Sequence, residues 1–440
     1  MFSWLIKIEK IRYTWIIYNI FENKGLPKMI FNKPVWWLFA SALIVLIKGQ
    51  TDDFVSGPGL AYVGYELSNS NDNDLIKTYS LPTNSTSTEI YQTIQNAVDW
   101  LGGIGGGVLE MAVGEYRVNH NIYIRNSNIH FKGIMQQTIL KLDDFVEPFS
   151  ADEKVYGLLT VTSADNVKVS ELTMDGNKEN QYQNVNSTVH GLFAEASTHV
   201  WFTNVDVNNF MGYGIASHGL KATNQHSYNI TMINCNSNNN DKDGVLIDQT
   251  EYAYIQNCYG NHNGRHGFNI VKQSINIILE NIIATDNGFS GNGCGVSIQK
   301  NKDSDDLDEI SDYDDRRTHD VLVQNSMLKN NYRDGICMNT VYDINIKGND
   351  FQLNNRYSMY VANVVSANIT QNTFDHDQIT SKNSIIVYSQ CNTIICNDVY
   401  VFDNIETVPV TSTGKYDETS GANILEYAMT FFIAGIVLLV

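Results

Sequence analysis

The 440-residue chain has 48 Asp and Glu against 29 Lys and Arg, which gives a formal net charge of −19 at pH 7 and a pI near 4.8. Nucleic acid is excluded as the expected partner, because such a chain repels polyanions unless its positive charge is concentrated in one place. The apolar content of 43% is enough for a buried core, and 31 Gly with only 6 Pro favour one elongated repeat domain over several ordinary domains. Six Cys are too few for the disulfide scaffold of a small secreted protein.

Both ends of the chain carry apolar segments that are typical of export signals. The apolar run at 35–47 is shorter than the roughly 20 residues that span a bilayer, so it predicts a secretion signal within 1–50, with a signal anchor as the alternative. After a polar linker at 406–426, the tail at 427–440 is apolar to its last residue and predicts a GPI-anchor signal, with an unprocessed tail as the alternative. Four N-glycosylation sequons agree with export: Asn84, Asn186, Asn229 and Asn368. We therefore expect a secreted or cell-surface protein that meets a membrane only through its terminal segments.

A single amphipathic helix is predicted ahead of the repeat region. After a polar lead-in at 51–87, the Ser-Thr-Glu triplet at 87–89 is a typical helix start. Apolar residues then recur at helical spacing as far as Leu101, where a Gly-Gly pair follows. The pattern predicts a capped helix at 88–101.

From residue 106 onward, short alternating segments are separated by Asn, Gly and Asp, which is typical of strands and turns. A glycine-centred motif recurs at spacings of 23, 30, 23, 28, 40 and 23 residues. Its positions are Gly191, Gly214, Gly244, Gly267, Gly295, Gly335 and Ser358. A base period with insertions is the signature of a solenoid, and one coil of three short strands fits about 23 residues. We predict an all-β fold at 88–405, a right-handed parallel β-helix of about ten or more rungs whose N-terminal end is covered by the helix. A β-propeller or β-sandwich is the alternative.

The period places residues of equal phase in columns, since successive rungs lie about 4.8 Å apart. Two positions before the motif residue, four cations share one column that only Gly293 interrupts: Lys242, Arg265, Arg333 and Arg356. A groove lined by such a row suits a linear polymer with a negative charge on each unit, namely a polyuronate.

A second column brings together two groups that could transfer protons. Four positions after the motif glycine, His218 and Asp248 fall on adjacent rungs and should lie within hydrogen-bonding reach. Asp248 would then hold one tautomer of the imidazole and stabilise its charged form. Tyr213 lies five residues before His218, about 16 Å along a straight strand, so both serve one site only if the chain bends between them.

The remaining candidates for metal or disulfide chemistry are an acidic insertion and the cysteines. The segment 302–315 carries eight acids and one base, and its spacing does not match an EF-hand loop. We interpret it as a solvated loop, with a Ca²⁺ loop or a lid over the groove as alternatives. Cys235 and Cys258 share a phase and would stack as buried thiols or form a disulfide, and Cys391 and Cys396 are near enough in sequence to form another. No zinc-ligand spacing occurs, and the sequence indicates no cofactor beyond that Ca²⁺ alternative.

Three segments resemble the catalytic modules of mannuronan C5-epimerases, the alginate-modifying enzymes built on a pectate-lyase-like β-helix. They are GYGIASH at 212–218, KDGVLID at 242–248 and NHNGRHGFNIV at 261–271. The resemblance covers approximately 88–375 and is strongest at 205–300. By position in the family's motifs it implies a catalytic role for Tyr213, His218, Asp248 and Arg265. One position departs from the family, since Ala216 stands where its motif has an acid.

The resemblance implies inversion at C5 of mannuronate units in a polyuronate. Arg265, or Lys178 in the upstream MDGNK turn, would neutralise the uronate carboxylate and so make the C5 proton acidic. One of His218 and Tyr213 would remove that proton, and the other would deliver one to the opposite face. His266, next to Arg265, would support the site as a substrate-binding residue, with a structural role as the alternative.

Two alternatives stay open. If the same intermediate expels the 4-linked oxygen, the result is β-elimination, so a polysaccharide lyase is the nearest alternative. The second alternative is a non-catalytic, glycan-binding β-helix, which is favoured by the absence of the motif acid at Ala216. We expect a monomer, with a linear anionic polysaccharide, a polyuronate, as its partner.

Overall fold

The computed structural model describes residues 60–64, 77–81, 84–146, 156–182, 189–220, 223–291, 293–300, 317–375, 386–389, 399–402 and 404–406. These residues form a parallel β-helix with one helix at its N-terminal end, so the predicted fold class is confirmed. Several predictions fall outside the described residues: the segments 1–50, 302–315 and 427–440, most of the linker 406–426, the sequon Asn186, and Cys391 and Cys396. Within the described part of the chain, no helix has the length and apolar character needed to cross a membrane.

The elements follow one another in short steps along the chain. The first are β1 (Leu60–Gly64), β2 (Lys77–Ser80), α1 (Ser87–Gly103), β3 (Gly107–Met111), β4 (Gly114–Val118), β5 (Ile122–Ile124), β6 (Ile129–Lys132), β7 (Thr138–Leu142), β8 (Tyr156–Thr162) and β9 (Asp165–Asp175). A 3₁₀ turn at Lys178–Asn180 is followed by β10 (Val189–Glu195), β11 (Thr198–Asn208), β12 (Ile215–His218), β13 (Ser227–Ile233), β14 (Asn236–Asn238), β15 (Val245–Asp248), β16 (Thr250–Gln256), β17 (Phe268–Val271), β18 (Ile275–Glu280) and β19 (Ile283–Thr285). The last are β20 (Val296–Gln299), β21 (His319–Gln324), β22 (Met327–Lys329), β23 (Asp334–Lys347), β24 (Asp350–Gln352), β25 (Tyr357–Thr370), β26 (Thr373–Asp375), β27 (Ile386–Ser389), β28 (Val399–Phe402) and β29 (Ile405–Glu406).

Three parallel sheets run along the solenoid. Sheet 1 contains β5, β8, β10, β12, β15, β17, β20, the first halves of β23 and β25, and β27. Sheet 2 contains β3, β6, the first halves of β9 and β11, β13, β16, β18, β21, the second halves of β23 and β25, and β28. Sheet 3 contains β4, β7, the second halves of β9 and β11, β14, β19, β22, β24, β26 and β29. Each strand pairs with its counterpart one coil later, which is why equal phase in the sequence becomes a column in space.

The motif glycines recur because the backbone of the next rung approaches them closely. A Cβ on Gly244 would lie 2.7 Å from the carbonyl oxygen of Gly267, and one on Gly267 would lie 2.7 Å from that of Gly295. Real side chains do not tolerate such distances. The spacing of these glycines therefore reports the rung period of sheet 1.

The interior of the solenoid is a stack of apolar side chains closed at one corner by an asparagine ladder. The residue after each motif glycine points inward and is buried, as at Ile215, Val245 and Phe268. Buried asparagines stack at the turn before sheet 1: Asn240, Asn263, Asn287, Asn331 and Asn354. Each of the last four accepts the backbone N–H of the preceding member at 3.0 to 3.2 Å. The ladder thereby satisfies polar backbone groups that the stacked turns bury.

The predicted helix is α1, which packs on β3 to β6 at the start of the solenoid. Its N-cap is Thr86, which forms a capping box with Glu89, and its buried face includes Ile94 and Val98. The predicted polar lead-in contains two strands that the sequence did not indicate. β1 pairs antiparallel with both β2 and β3 and so extends the first rung of sheet 2.

Candidate active site

The outward face of sheet 1 carries an apolar floor between two of the predicted site residues. Ala216 lies in register with Leu246 on the next rung and with Phe193 on the preceding one. These three side chains and Val271 form a cluster apart from the main core, and Tyr213 packs against it. Ala216 is fully buried there, so an acid at this position would have to place its charge among apolar neighbours.

The chain bends before β12, and a row of rings joins Tyr213 to His218. His190, one rung earlier, stacks on Tyr213 with ring centroids 4.6 Å apart, and it also lies 6.1 Å from the ring of Phe193. Phe193 in turn stacks on His218 at 5.9 Å. Tyr213 and His218 therefore flank the same apolar floor, which was the condition for both to serve one site.

The backbone holds Tyr213 and His190 in a fixed arrangement. The Tyr213 N–H donates to Nδ1 of His190 at 2.8 Å, so the proton of the neutral imidazole lies on Nε2. Burial lowers the pKa of His190 to about 3, which keeps this ring neutral. Burial raises the pKa of Tyr213, whereas the charge of Arg265 opposes that rise.

His218 and Asp248 are in contact, as their common phase predicted. Nε2 of His218 lies 3.1 Å from Oδ2 of Asp248, whose side chain is 4% exposed. Nδ1 of His218 donates to the carbonyl oxygen of Gly219. Burial lowers the pKa of His218, but the hydrogen bonds to Asp248 and Gly219 raise it by a larger amount. The pKa of His218 therefore lies above the ordinary histidine value. Because both ring nitrogens face acceptors, the arrangement favours the imidazolium.

A residue that the sequence reasoning missed completes this pair. Nζ of Lys272 lies 2.8 Å from Oδ2 of Asp248, the same oxygen that His218 contacts. Lys272 directly follows β17, and its carbonyl accepts the N–H of Gln249, which directly follows Asp248. The stacking of these two strand ends was the signal that could have located it.

Arg265 is held by Asp243, another residue that the sequence reasoning missed. Nε of Arg265 donates to Oδ1 of Asp243 at 2.6 Å, and Nη2 donates to Oδ2. The Asp243 side chain is fully buried and also accepts the backbone N–H of His266 and the side-chain amide of Asn269. The guanidinium carbon of Arg265 lies 5.6 Å from the ring centroid of Tyr213. A fixed positive charge therefore stands beside the tyrosine.

The four cations form one column, and buried acids compensate part of their charge. The backbone N–H of Arg265 bonds to Lys242, and that of Arg356 bonds to Arg333, so their order along the edge follows the predicted phase. Nζ of Lys242 lies 5.1 Å from the ring of Tyr213. Farther along, Arg356 forms two hydrogen bonds to the buried Asp334, at 2.8 and 2.6 Å. Arg333 lies 3.4 Å from the same carboxylate.

Lys178 and His266 have contacts that fix them in the framework. Nζ of Lys178 donates to the carbonyl of Asn239 at 2.7 Å and pairs with Asp241 at 3.0 Å, which ties it to the turn before Lys242. His266 is buried, and its Nδ1 accepts the N–H of Cys294 at 3.0 Å. Burial lowers the pKa of His266 to about 4, so its ring supports the turn as a neutral group.

One disulfide lies beside the site, at a pair that the sequence did not suggest. Cys294 and Cys337 are bonded across a sequence separation of 43 residues. Cys235 and Cys258 are free, buried thiols, which is the first of the two alternatives for that pair. Among the described residues, the cluster of potential metal ligands consists of His266 and the disulfide-bonded Cys294 and Cys337. A disulfide leaves no thiolate for a metal, so the cluster supports a structural role.

The chain is similar to known proteins in sequence and in fold. No protein-family model matches the chain. Over 267 residues it is 26% identical to mannuronan C5-epimerase AlgE5 of Azotobacter vinelandii, a match that covers 58% of this chain and 24% of that protein. Over 204 residues it is 29% identical to alginate lyase 7 of the same organism, covering 43% of this chain and 22% of that protein. The chain thus spans about a quarter of the length of these curated relatives.

Solved structures support the same architecture. The A-module of Azotobacter vinelandii mannuronan C-5 epimerase AlgE4 aligns with a TM-score of 0.54 at 20% identity, over 73% of this chain and 94% of that module. The A-module of AlgE6 aligns with a TM-score of 0.53 at 19% identity, over 73% and 96%. At these identities the likeness concerns the fold. The resemblance to mannuronan C5-epimerases that the sequence motifs indicated is confirmed.

Proposed function

We propose that this protein is a polysaccharide-modifying enzyme that epimerises C5 of mannuronate units in a polyuronate, converting β-D-mannuronate to α-L-guluronate. The observation that carries the proposal is the convergence of Tyr213, Arg265 and the His218–Asp248 pair around one apolar floor. The similarity to C5-epimerases adds support, since it extends over more than half of the chain.

In the proposed reaction, Arg265 and Lys242 supply positive charge beside Tyr213, where the uronate carboxylate would bind. That charge stabilises the electrons left on the carboxylate group when the C5–H bond breaks. Of His218 and Tyr213, one takes the C5 proton and the other gives a proton to the opposite face of the ring. The sugar leaves with its configuration at C5 inverted, and the two proton-transfer groups end in exchanged protonation states. Lys178, whose amine contacts Asn239 and Asp241, is the less suitable carboxylate partner.

The other groups assigned to substrate binding extend the site along sheet 1. Arg333 and Arg356 lie near the ring of Tyr360, at 5.7 and 4.8 Å, so a cationic and aromatic surface continues beyond the proton-transfer groups. Successive rungs are about 4.8 Å apart, so the column offers closely spaced positive charges along one edge of the solenoid. A polymer with a negative charge on each unit would be attracted along this edge.

A polyuronate lyase is the second candidate, and the similarity to an alginate lyase favours it specifically. Removal of the same C5 proton followed by expulsion of the 4-linked oxygen would cleave the chain and leave an unsaturated sugar. The two candidates share their first step and differ only in the fate of the electron pair.

The proposal extends to the setting of the enzyme. We infer a secreted or cell-surface protein, from the apolar segments at 35–47 and 427–440 and the sequons. Mass spectrometry of the protein purified from its source would test this through the two processed ends.

Two variants test the assignment of the proton-transfer groups. We expect His218→Gln and Tyr213→Phe each to lower kcat on polymannuronate by about 100-fold or more, because each removes one proton-transfer group. His262→Gln is the matched control, since the side chain of His262 is 67% exposed. Turnover is followed by proton NMR at C5 and by ultraviolet absorbance of unsaturated product, with circular dichroism to establish that each variant is folded. Wild-type turnover in both folded variants would contradict the assignment.

A further inference from the structure

One oxygen of Asp248 is shared by two cationic side chains. Nε2 of His218 lies 3.1 Å from Oδ2, and Nζ of Lys272 lies 2.8 Å from it. The two cationic nitrogens are therefore no more than about 6 Å apart, within the range where like charges act strongly on each other. The other oxygen of Asp248, Oδ1, is buried and has no hydrogen-bond partner among the residues that the structure describes. Within this described part of the chain, the contacts at Oδ2 are the ones that fix the orientation of the carboxylate.

The charges around His218 come from each neighbouring element. Asp248 on β15 favours the protonated imidazole, whereas Lys272 after β17 disfavours it. On β10, Glu195 lies in register with His218, and its carboxylate accepts the hydroxyl of Thr162 at 3.1 Å. His190, also on β10, is neutral, and Tyr213 lies beyond it in the row of rings. Lys272 is thus the cation in direct contact with the carboxylate that holds the imidazolium.

We propose that Lys272 is a positioning residue that sets the protonation of His218 through the shared oxygen of Asp248. It does so in two ways. Its ion pair fixes the Asp248 carboxylate so that Oδ2 faces His218, and its charge competes with the imidazolium for that oxygen. The imidazole consequently releases its proton at a lower pH than it would beside Asp248 alone, which suits a group that must both give and take protons. The significance for turnover rests on the proposed function, whereas the effect on His218 does not.

The test is a titration of His218 in the full-length protein without substrate, followed by NMR of the labelled imidazole. Lys272→Gln keeps a hydrogen-bond donor and removes the charge, Lys272→Met removes both, and Lys272→Arg keeps both. We expect the His218 midpoint to rise by about one pH unit in the Gln and Met variants and to return toward the wild-type midpoint in the Arg variant. Lys347→Met is the matched control, because Lys347 is exposed at the end of β23 on sheet 2.

A His218 midpoint that stays at the wild-type value in folded Lys272→Gln would overturn the proposal, as would an equal rise in the Lys347 control. If Lys272→Met does not fold, the milder Gln variant still decides. The pH profile of turnover provides a second readout, since the limb controlled by His218 should move to higher pH in the Gln variant and return in the Arg variant. Absence of turnover in the wild type would contradict the proposed function, and the imidazole titration would still decide the role of Lys272.

Discussion

Two arginine–aspartate pairs of the same geometry allow a catalytic contribution to be separated from a structural one. Arg265 with Asp243 and Arg356 with Asp334 are each 22 residues apart, and each arginine donates two hydrogen bonds to an aspartate whose side chain is fully buried. Replacing either arginine by Met leaves a buried carboxylate with fewer partners. Loss of one partner of a buried ion pair costs about 3–5 kcal/mol.

The lower end of that range is expected for both variants, because each aspartate keeps other contacts. Asp243 retains the His266 backbone N–H at 3.1 Å and the Asn269 amide at 2.9 Å. Asp334 retains Arg333 at 3.4 Å. We therefore expect Arg265→Met and Arg356→Met each to lower the free energy of unfolding by about 3 kcal/mol, as measured by denaturant unfolding.

Turnover should distinguish the two variants. Arg265 stands beside Tyr213, so Arg265→Met should lower kcat by about 100-fold or more. Arg356 lies farther along the column, so Arg356→Met should raise KM by about tenfold and leave kcat near the wild-type value. An equal loss of kcat in both would refute the assignment of Arg265 to the reacting centre. Unchanged unfolding free energies in both would refute the reasoning about the buried pairs.

The Arg265 pair also predicts a pH dependence of stability. Burial raises the pKa of Asp243, but the hydrogen bonds and charge of Arg265 lower it by a larger amount. The pKa of Asp243 therefore lies below the ordinary value for an aspartate. The pKa of an Asp side chain in the unfolded chain is about 3.9. A lower pKa in the folded state stabilises the protein at pH values above this unfolded-state pKa, and the contribution is lost as the pH falls through the folded-state pKa. The stability difference between wild type and Arg265→Met should therefore shrink on acidification. A constant difference down to acid unfolding would contradict the role of the pair.

Two further predictions concern the framework. Asn263→Ala should lower the free energy of unfolding by about 3 kcal/mol. It removes the acceptor of the buried Asn240 backbone N–H and the side-chain donor to the carbonyl of Ser237, although the Asn240 amide keeps Val207 and Ser237 as acceptors. Exposed Asn355→Ala should change the free energy of unfolding by no more than about 0.5 kcal/mol. Similar unfolding midpoints for the two variants would contradict the ladder's role. Replacing Cys294 and Cys337 together by Ser removes a cross-link that spans 43 residues. It should lower the free energy of unfolding by about 4 kcal/mol. An unaltered thermal midpoint would show that the disulfide does not stabilise the fold.

The rung period could be predicted because the interactions that define it are strictly repetitive. Gly244 and Gly267 are required by the backbone of the next rung, and this requirement returns with each coil. The same periodicity correctly placed His218 opposite Asp248 and the four cations in one column. By contrast, the strand β1 pairs antiparallel at the edge of the first rung, where no repeat reports it.

The interactions that the sequence did not indicate connect residues of different phase on neighbouring rungs. Asp243 reaches Arg265 across 22 residues, one short of the period, and Lys272 reaches Asp248 from a position just past the strand end. Cys294 precedes its motif glycine while Cys337 follows one, so a comparison of equal phases keeps them apart. A long side chain can contact a residue that lies one position earlier or later in the neighbouring rung. Which of these positions it reaches depends on the geometry of the turn. The role of Asp243 in holding Arg265 therefore became evident only with the structure.

In the proposed function, this site exchanges the C5 proton of a uronate polymer without cleaving the chain. The most direct measurement is incubation of the wild-type protein with polymannuronate in D₂O, with NMR at C5 and ultraviolet absorbance recorded on the same sample. We expect deuterium at C5 together with new guluronate signals, and no rise in the absorbance of unsaturated product. Absorbance that rises with chain cleavage would assign the site to a lyase, and a polymer left unchanged in both readouts would contradict an enzymatic role.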